Sequence, residues 1–346
     1  MIKVLIVDDS AVVRLVLKKE LGRYADIQVV DSAPDPFVAR ERIVKLEPDV
    51  IVLDVEMPRM DGITFLEKLM IAKPMPVIIF SCLTPAGCAT TLRALELGAI
   101  EVVHKQSLHD PLKLNEMMEV LVNAIRSGYS ARERYKDGYK SLRTPTKTYV
   151  ENSAMIKTTD KVVVIGASTG GTEALRVLLS ALPVTFPGIV IAQHMPENFI
   201  KVFVESLSRI CVMEVRQARD QDSVRQGLIL IAPGNRHIVL RRSGARYYVE
   251  IKDGPQVYYQ RPSIEVLFDS AAKYAARNAV GVLLTGMGKD GAMGLLHMKE
   301  AGAFTIAQDE ETCVVYGMPK VAFDLGAVEK VLPLQEIAGE LMRQVS

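Results

Sequence analysis

Three residues far apart in the chain have the types of a nucleophile, a base and an orienting carboxylate. Ser168 stands in "VVVIGASTGG", where "GASTG" reads G-x-S-x-G between a β-branched strand and the helical pattern "TEALRVLLSAL". Small flanking residues let the chain turn sharply and expose the hydroxyl at a helix N-terminus, where backbone N–H groups favour developing negative charge. A dinucleotide-binding loop is the rival reading, but it needs glycine at position 168 for pyrophosphate approach and an acid ending the next strand to hold a ribose. The next strand, "GIVIAQH", ends instead in His194, a residue suited to deprotonating a serine. A third strand, "AVGVLL", runs into "TGMGKDGAMG" and brings Asp290 to its end. Ser168, His194 and Asp290 are therefore the candidate catalytic triad. Their order differs from the Ser, Asp, His order of α/β-hydrolases, so that fold is not implied. Plainer roles exist for each: Ser168 as a helix cap, His194 as a turn residue, Asp290 as the cap of a helix beginning near Gly291. Their conjunction favours chemistry, because three independent caps need not supply the three functions of one mechanism. No H-x-x-x-H spacing or cysteine pair accompanies His194, so neither a metal nor another cofactor is expected at the Ser168, His194 and Asp290 site.

A second group lies near the N-terminus. Asp8 and Asp9 end the first predicted strand, Asp54 ends the third in "VIVLDVEMP", Ser81 follows the fourth and Lys105 the fifth. In a parallel doubly wound sheet all these strand ends open onto one crevice. Adjacent carboxylates repel one another there, and a hard divalent cation such as Mg²⁺ relieves the repulsion while keeping several of its waters. A phosphoryl group on Asp54 would add charge that the cation and Lys105 neutralise. Any one Asp reads as well as a cap of the following helix; five such residues at successive strand ends do not.

The elements that must position these residues follow a βα rhythm. From residue 3 to about 126, the runs VLIV, IQVV, VIVL, VIIF and VV alternate with amphipathic stretches, which predicts a parallel sheet with helices on its faces. Between Arg126 and Lys161, nine Lys or Arg face four Asp or Glu, apolar periodicity fades, and Gly, Ser, Thr and Pro appear. Residues 126–157 are read as a basic flexible linker, the start of which is the frayed end of a helix, between domains at 1–125 and 158–346. The rhythm then resumes with VVVI, GIVIAQ, LILIA, AVGVLL and FTIAQ, and with candidate helices at 172–182, 197–208, 262–277 and 290–301. HIVL and YYVEI, joined through "RRSGAR", form a predicted β-hairpin added to that second sheet. Both domains are thus expected to be α/β and doubly wound, the first flavodoxin-like and the second Rossmann-like.

Lys plus Arg number 42 against 41 Asp plus Glu, a balance that disfavours nucleic acid or a membrane surface as partner. The first apolar run is too short for a signal peptide and no later one approaches membrane-spanning length, so a cytoplasmic protein without membrane insertion is expected. Cys82, Cys88, Cys211 and Cys313 show no C-x-x-C spacing and read as reduced packing residues. A protein whose second domain binds a nucleotide or another partner without chemistry stays an alternative, as does a transcription factor, although no short helix-turn-helix tail is evident.

"VDDS", "LDVEMPRMDG", "FSCLT" and "VVHKQ" together resemble the receiver domain of response regulators over residues 1 to about 125. That resemblance implies phosphoryl transfer from a histidine kinase to Asp54, with Mg²⁺ on Asp9, Asp54 and the Glu56 carbonyl, Asp8 acting through water, and Ser81 and Lys105 on the phosphoryl group. The sequence departs from the pattern at Gln106, where proline is usual, and at Val102, where many receivers carry an aromatic switch residue. "IGASTGG", "AQHMPENF", "APGNRH", "RPSIEVLF", "LLTGMGKDGAMGL" and "CVVYGMPK" resemble the catalytic domain of the chemotaxis protein-glutamate methylesterase family, over roughly residues 158–343. This second resemblance implies hydrolysis of glutamate methyl esters on the cytoplasmic helices of chemoreceptors, with deamidation of selected glutamines. Ser168, His194 and Asp290 match the catalytic positions, and Thr169 and Met287 match residues lining the active site, where backbone donors would hold an oxyanion. Arg261 and the "APGNRH" turn would either contact an acidic receptor helix or face solvent.

Overall fold

The computed structural model describes residues 1–57, 59–81, 85–105, 110–136 and 161–345, which fall into two compact units divided between Ser141 and Leu142. The first unit alternates β1 (Ile2–Val7), α1 (Ala11–Leu21), β2 (Ile27–Ala33), α2 (Pro36–Leu46), β3 (Val50–Leu53), α3 (Gly62–Ala72), β4 (Val77–Ser81), α4 (Pro85–Glu96), β5 (Glu101–His104) and α5 (Pro111–Lys136). Its five strands pair in parallel in the order β2-β1-β3-β4-β5. This is the flavodoxin-like order, and the continuous apolar runs follow from it: β3 and β4 are buried along their whole lengths because helices cover both sheet faces.

Helix α5 continues to Lys136, well into the segment read as linker. Its late turns are held by burial of Ala131 and Tyr135, with the Tyr135 hydroxyl donating to the carbonyl of Gly98 at 2.9 Å. One aromatic and one alanine among charged neighbours are too sparse a stripe to read as helix. Residues 137–160, which include the rest of that linker reading, lie outside the described residues, as does Gln106.

In the second unit the elements are β6 (Val162–Ala167), α6 (Gly171–Ser180), β7 (Ile189–Gln193), α7 (Glu197–Ser208), β8 (Glu214–Gln217), β9 (Ser223–Val224), β10 (Leu228–Ile231), β11 (His237–Ser243), β12 (Arg246–Lys252), α8 (Ile264–Tyr274), β13 (Ala279–Leu283), α9 (Ala292–Glu300), β14 (Phe304–Gln308), α10 (Met318–Asp324), β15 (Lys330–Leu332) and α11 (Leu334–Val345). Seven strands form one parallel sheet in the order β15-β14-β13-β6-β7-β10-β8. The predicted hairpin exists as β11 and β12, but it does not extend that sheet. It pairs with β9 in a separate antiparallel sheet of three strands, and Ile238, Leu240 and Val249 turn its apolar side into the core with Leu267, Phe268 and Ala271 of α8.

The chain leaves β6 toward β7 on one side and returns to pair β13 on the other. Such a reversal leaves a crevice outside the carboxyl ends of the central strands. Among the described residues no helix is long and apolar enough to cross a membrane.

Candidate active site

The three strands beside that reversal each lead to one of the predicted residues. Ser168 follows β6 directly, and its N–H donates to the Thr285 carbonyl at 3.0 Å, tying the β6 turn to the turn after β13. His194 follows β7, with its N–H donating to the Ala167 carbonyl at 3.0 Å. Its imidazole lies between the other two side chains: Nδ1 is 3.1 Å from Ser168 Oγ and Nε2 is 2.8 Å from Asp290 Oδ2. An ionised carboxylate only accepts, so Nε2 carries the proton and Nδ1 turns its lone pair to the serine hydroxyl. Burial pushes the Asp290 carboxyl up, but the hydrogen bond and charge of His194 and the N–H groups of Glu265 and Ile264 outweigh it and hold the group below the usual carboxylate range.

The plainer roles do not describe these side chains. Helix α6 has Gly170 as its N-cap, in the left-handed region at φ 78°, and Ser168 stands two residues before it with its hydroxyl on His194. Helix α9 has Gly291 as N-cap and no side-chain cap. Asp290 instead caps α8: Ser263 Oγ and the Glu265 N–H donate to Oδ1 at 2.8 and 2.9 Å, and the Ile264 N–H donates to Oδ2 at 2.8 Å. Sequence reading did not find this second use of Asp290, because its cap partners lie some 25 residues upstream.

Several supporting residues were also missed. Gln193 Nε2 donates to the carbonyls of both Ser168 and His194 at 3.0 Å, so one buried amide holds the nucleophile's turn against the base's. Thr285 Oγ1 donates to the Thr169 carbonyl at 2.9 Å and accepts the Val315 N–H at 2.9 Å. A polar residue ending the apolar run "GIVIA" was the available signal for Gln193, and serine ahead of "IEVLF" was that for Ser263. Thr169 is buried, whereas Met287 is partly exposed on the turn after β13. Arg261 is occupied within the unit, where its guanidinium donates to Asn235 Oδ1 and to the Gly254 carbonyl, and Arg236 pairs with Asp253. Gly171 has no room for a side chain, since a Cβ would stand 2.3 Å from Gln193 Oε1 and 2.7 Å from the Ala167 Cβ. Gly171→Ala is therefore expected to destabilise the unit by on the order of 1–3 kcal/mol, seen as a lowered Tm in thermal denaturation. An unchanged Tm would show that the turn relaxes freely.

At the carboxyl ends of the first sheet, Asp8 and Asp54 are buried and Asp9 is exposed, and one ligand oxygen from each lies within 4.8 Å of the others. Lys105, just after β5, places Nζ 2.7 Å from Asp8 Oδ2 and 2.5 Å from Asp54 Oδ2. Burial works against its ammonium, yet Asp54 and Asp8 outweigh that cost and hold its pKa above the ordinary lysine range. Asp54 Oδ1 accepts the Glu56 N–H at 3.3 Å, which ties the carboxylate to the turn that carries the Glu56 carbonyl. Ser81 is the buried last residue of β4 rather than a residue beyond it, and Val102 is buried within β5. Capping of the neighbouring helices falls to Ser10, Asp35 and Asp61, so the three clustered aspartates are not consumed as caps. Three carboxylates this close suit a hard divalent cation. Among the described residues Cys211 and Cys313 are not joined in a disulfide, and burial pushes the Cys211 thiol up to about 12.

Residues 163–341 match the CheB methylesterase family, and residues 4–119 match the response regulator receiver domain. Over 344 residues the chain is 54% identical to the protein-glutamate methylesterase/protein-glutamine glutaminase 2 of Syntrophus aciditrophicus, covering 99% of each chain. It is 47% identical to the protein-glutamate methylesterase/protein-glutamine glutaminase of Salmonella typhimurium, covering 100% of this chain and 97% of that relative. The crystal structure of the Thermotoga maritima CheB methylesterase catalytic domain is similar at 38% identity and a TM-score of 0.52, over 53% of this chain and 97% of that one. Two matched domains and near-complete coverage by named relatives place the chain in the CheB methylesterase family, with a response regulator receiver domain in its N-terminal half.

Proposed function

We propose that this chain hydrolyses glutamate methyl esters on the cytoplasmic helices of chemoreceptors, and deamidates selected glutamines there, by a Ser168-His194-Asp290 mechanism switched on by phosphorylation of Asp54. The observation that carries the reading is the imidazole of His194, which lies in hydrogen-bond reach of both Ser168 Oγ and Asp290 Oδ2. As Ser168 Oγ attacks the side-chain carbonyl, Nδ1 takes its proton, and Asp290 stabilises the imidazolium through Nε2–H. Backbone donors near Thr169 and Met287 are assigned to the oxyanion. Nδ1 then returns the proton to the departing methoxide, which leaves as methanol. The same nitrogen deprotonates a water that attacks the acyl-serine, releasing a glutamate carboxylate and the serine hydroxyl. Ammonia replaces methanol as leaving group in deamidation.

In the receiver, Asp54 would accept a phosphoryl group from a histidine kinase, with Ser81 and Lys105 contacting its oxygens. Asp9, Asp54 and the Glu56 carbonyl, with Asp8 through water, are the residues that would hold Mg²⁺, which supplies neutralisation of the charge gathered at the phosphoryl group. The reading takes residues 1–125 as the receiver, 126–157 as linker and 158–346 as the esterase. It places the protein in the cytoplasm, without nucleic acid as partner.

The test is methanol release from methylated receptor, with and without a small phosphodonor and Mg²⁺. The expected result is activation of the whole chain and none of Asp54→Asn. A tethered receiver stays at high effective concentration, so even a weak interface would inhibit in the unphosphorylated state. A fragment of residues 158–346 is accordingly expected to exceed the unphosphorylated whole chain in activity. A fragment no more active than that chain would rule out inhibition by occlusion and leave activation by alignment or recruitment.

A further inference from the structure

Glu265 is a buried carboxylate that the proposed reaction does not use. It is the second residue of α8, and its N–H donates to Asp290 Oδ1 at 2.9 Å. Its own Oε2 accepts the N–H of Gly291, the N-cap of α9, at 3.0 Å. Two helices therefore exchange caps: Asp290, at the entry to α9, caps α8, while Glu265, at the entry to α8, serves the start of α9. The helices approach closely enough that a Cβ on Gly294 would stand 2.7 Å from the Phe268 Cβ and 3.1 Å from the Glu265 carbonyl oxygen. Asp290 and Gly291 are consecutive, so the bond to Gly291 fixes the backbone of the very turn that carries the triad carboxylate.

We propose that Glu265 is a positioning residue, which locks the Asp290 turn by this exchange of caps and couples its own ionisation to the Asp290–His194 pair. The inference rests on Ser168, His194 and Asp290 acting together, but not on the identity of the ester. The groups facing Glu265 come from every side of the cluster: Asp269 one turn along α8, Asp290 before α9, His297 on α9 in a 2.7 Å bond to Asp269, and Tyr258 from the preceding loop. Burial pushes the Glu265 carboxyl up to about 7; Asp269 and Asp290 add to the effect, and the N–H groups of Gly291 and Gly294 oppose it. Above that pH one more negative charge stands beside Asp290 and favours the imidazolium of His194. Below it, neutral Glu265 still offers a carbonyl oxygen to Gly291, so position persists while the charge is gone. Two interacting groups of this kind titrate as a pair.

The experiment compares wild type, Glu265→Gln and Glu265→Ala by the rate at which a fluorophosphonate acylates Ser168 between pH 5.5 and 9, alongside Tm. Gln keeps an oxygen for Gly291 and removes the charge. Its labelling rate at pH 8 is expected within about threefold of wild type, with the acid limb moved down by about half a pH unit. Ala leaves the buried Gly291 N–H without its acceptor and frees the turn, so labelling is expected to fall about 10- to 100-fold. An acid limb in Glu265→Gln that superimposes on wild type overturns the coupling, whether or not Glu265→Ala folds. A folded Glu265→Ala labelled at the wild-type rate overturns the positioning role. A wild-type protein that the probe does not label at Ser168 even with a small phosphodonor and Mg²⁺ present would instead sink the triad reading, and this inference with it.

Discussion

Ser168→Ala is expected to abolish methanol release, lowering turnover by on the order of 10³- to 10⁶-fold while leaving the fold in place. Alanine removes only the atom bonded to His194 Nδ1. Every other tie at this position is main-chain: the N–H to Thr285, and the carbonyl that accepts from Gly171 and from Gln193. Those bonds survive the substitution, so Tm should move by no more than a surface change would move it. The phosphorylation proposed for Asp54 would take place on a separate sheet and should proceed at the wild-type rate. Near-normal methanol release by this variant would sink the serine mechanism, and a lost activity accompanied by a collapsed Tm would mean that the serine is structural.

The second large effect is that of Asp290→Asn, with an expected fall in turnover on the order of 10⁴-fold. The carboxylate accepts on both sides, with Oδ2 serving His194 and Ile264 and Oδ1 serving Ser263 and Glu265. An asparagine amide must direct its NH₂ at one of these sets. Turned to His194, it forces the proton onto Nδ1 and removes the lone pair that faces the serine. Turned to α8, it opposes two donors with another donor and costs about 1–3 kcal/mol of stability. Either orientation is damaging: the first leaves the Ile264 N–H facing a donor and the second leaves the Ser263 hydroxyl and the Glu265 N–H doing so, so both activity and Tm are expected to fall, with activity falling far further. Full activity in this variant would reduce Asp290 to a helix cap.

What the sequence disclosed and what it withheld divide along a physical line. Ser168, His194 and Asp290 were legible because each sits at the end of an apolar run, and a parallel sheet sends all such ends to one side. The clustering of Asp8, Asp54 and Lys105 was legible for the same reason. Short polar strands were not: "EVRQ" of β8 and "KVL" of β15 are edge strands with partly exposed faces, and nothing local separates them from loop. The hairpin of β11 and β12 was visible through its turn, but its partner was not, since β9 is only two residues long. The same limit hid the exchange between Asp290 and Glu265 and the clamp of Gln193. Such bonds join segments far apart in the chain, and a pattern of hydrophobic spacing carries no information about them.

The order in which the sheet places β13, β6 and β7 side by side has a consequence for how the protein acquires its reactivity during biosynthesis. Ser168 and His194 are 26 residues apart and meet through adjacent parallel strands, but the His194–Asp290 contact spans 96 residues and awaits insertion of β13 beside β6. Closing loops of that length is slow, because their entropy is spent before the contact returns anything. A ribosome-bound chain that has released β6 and β7 but not β13 holds the serine and histidine with no carboxylate to orient them. On the proposed triad mechanism, hydrolytic competence would arrive only once β13 has paired with β6, and a nascent or half-folded copy without that pairing would be inactive toward esters.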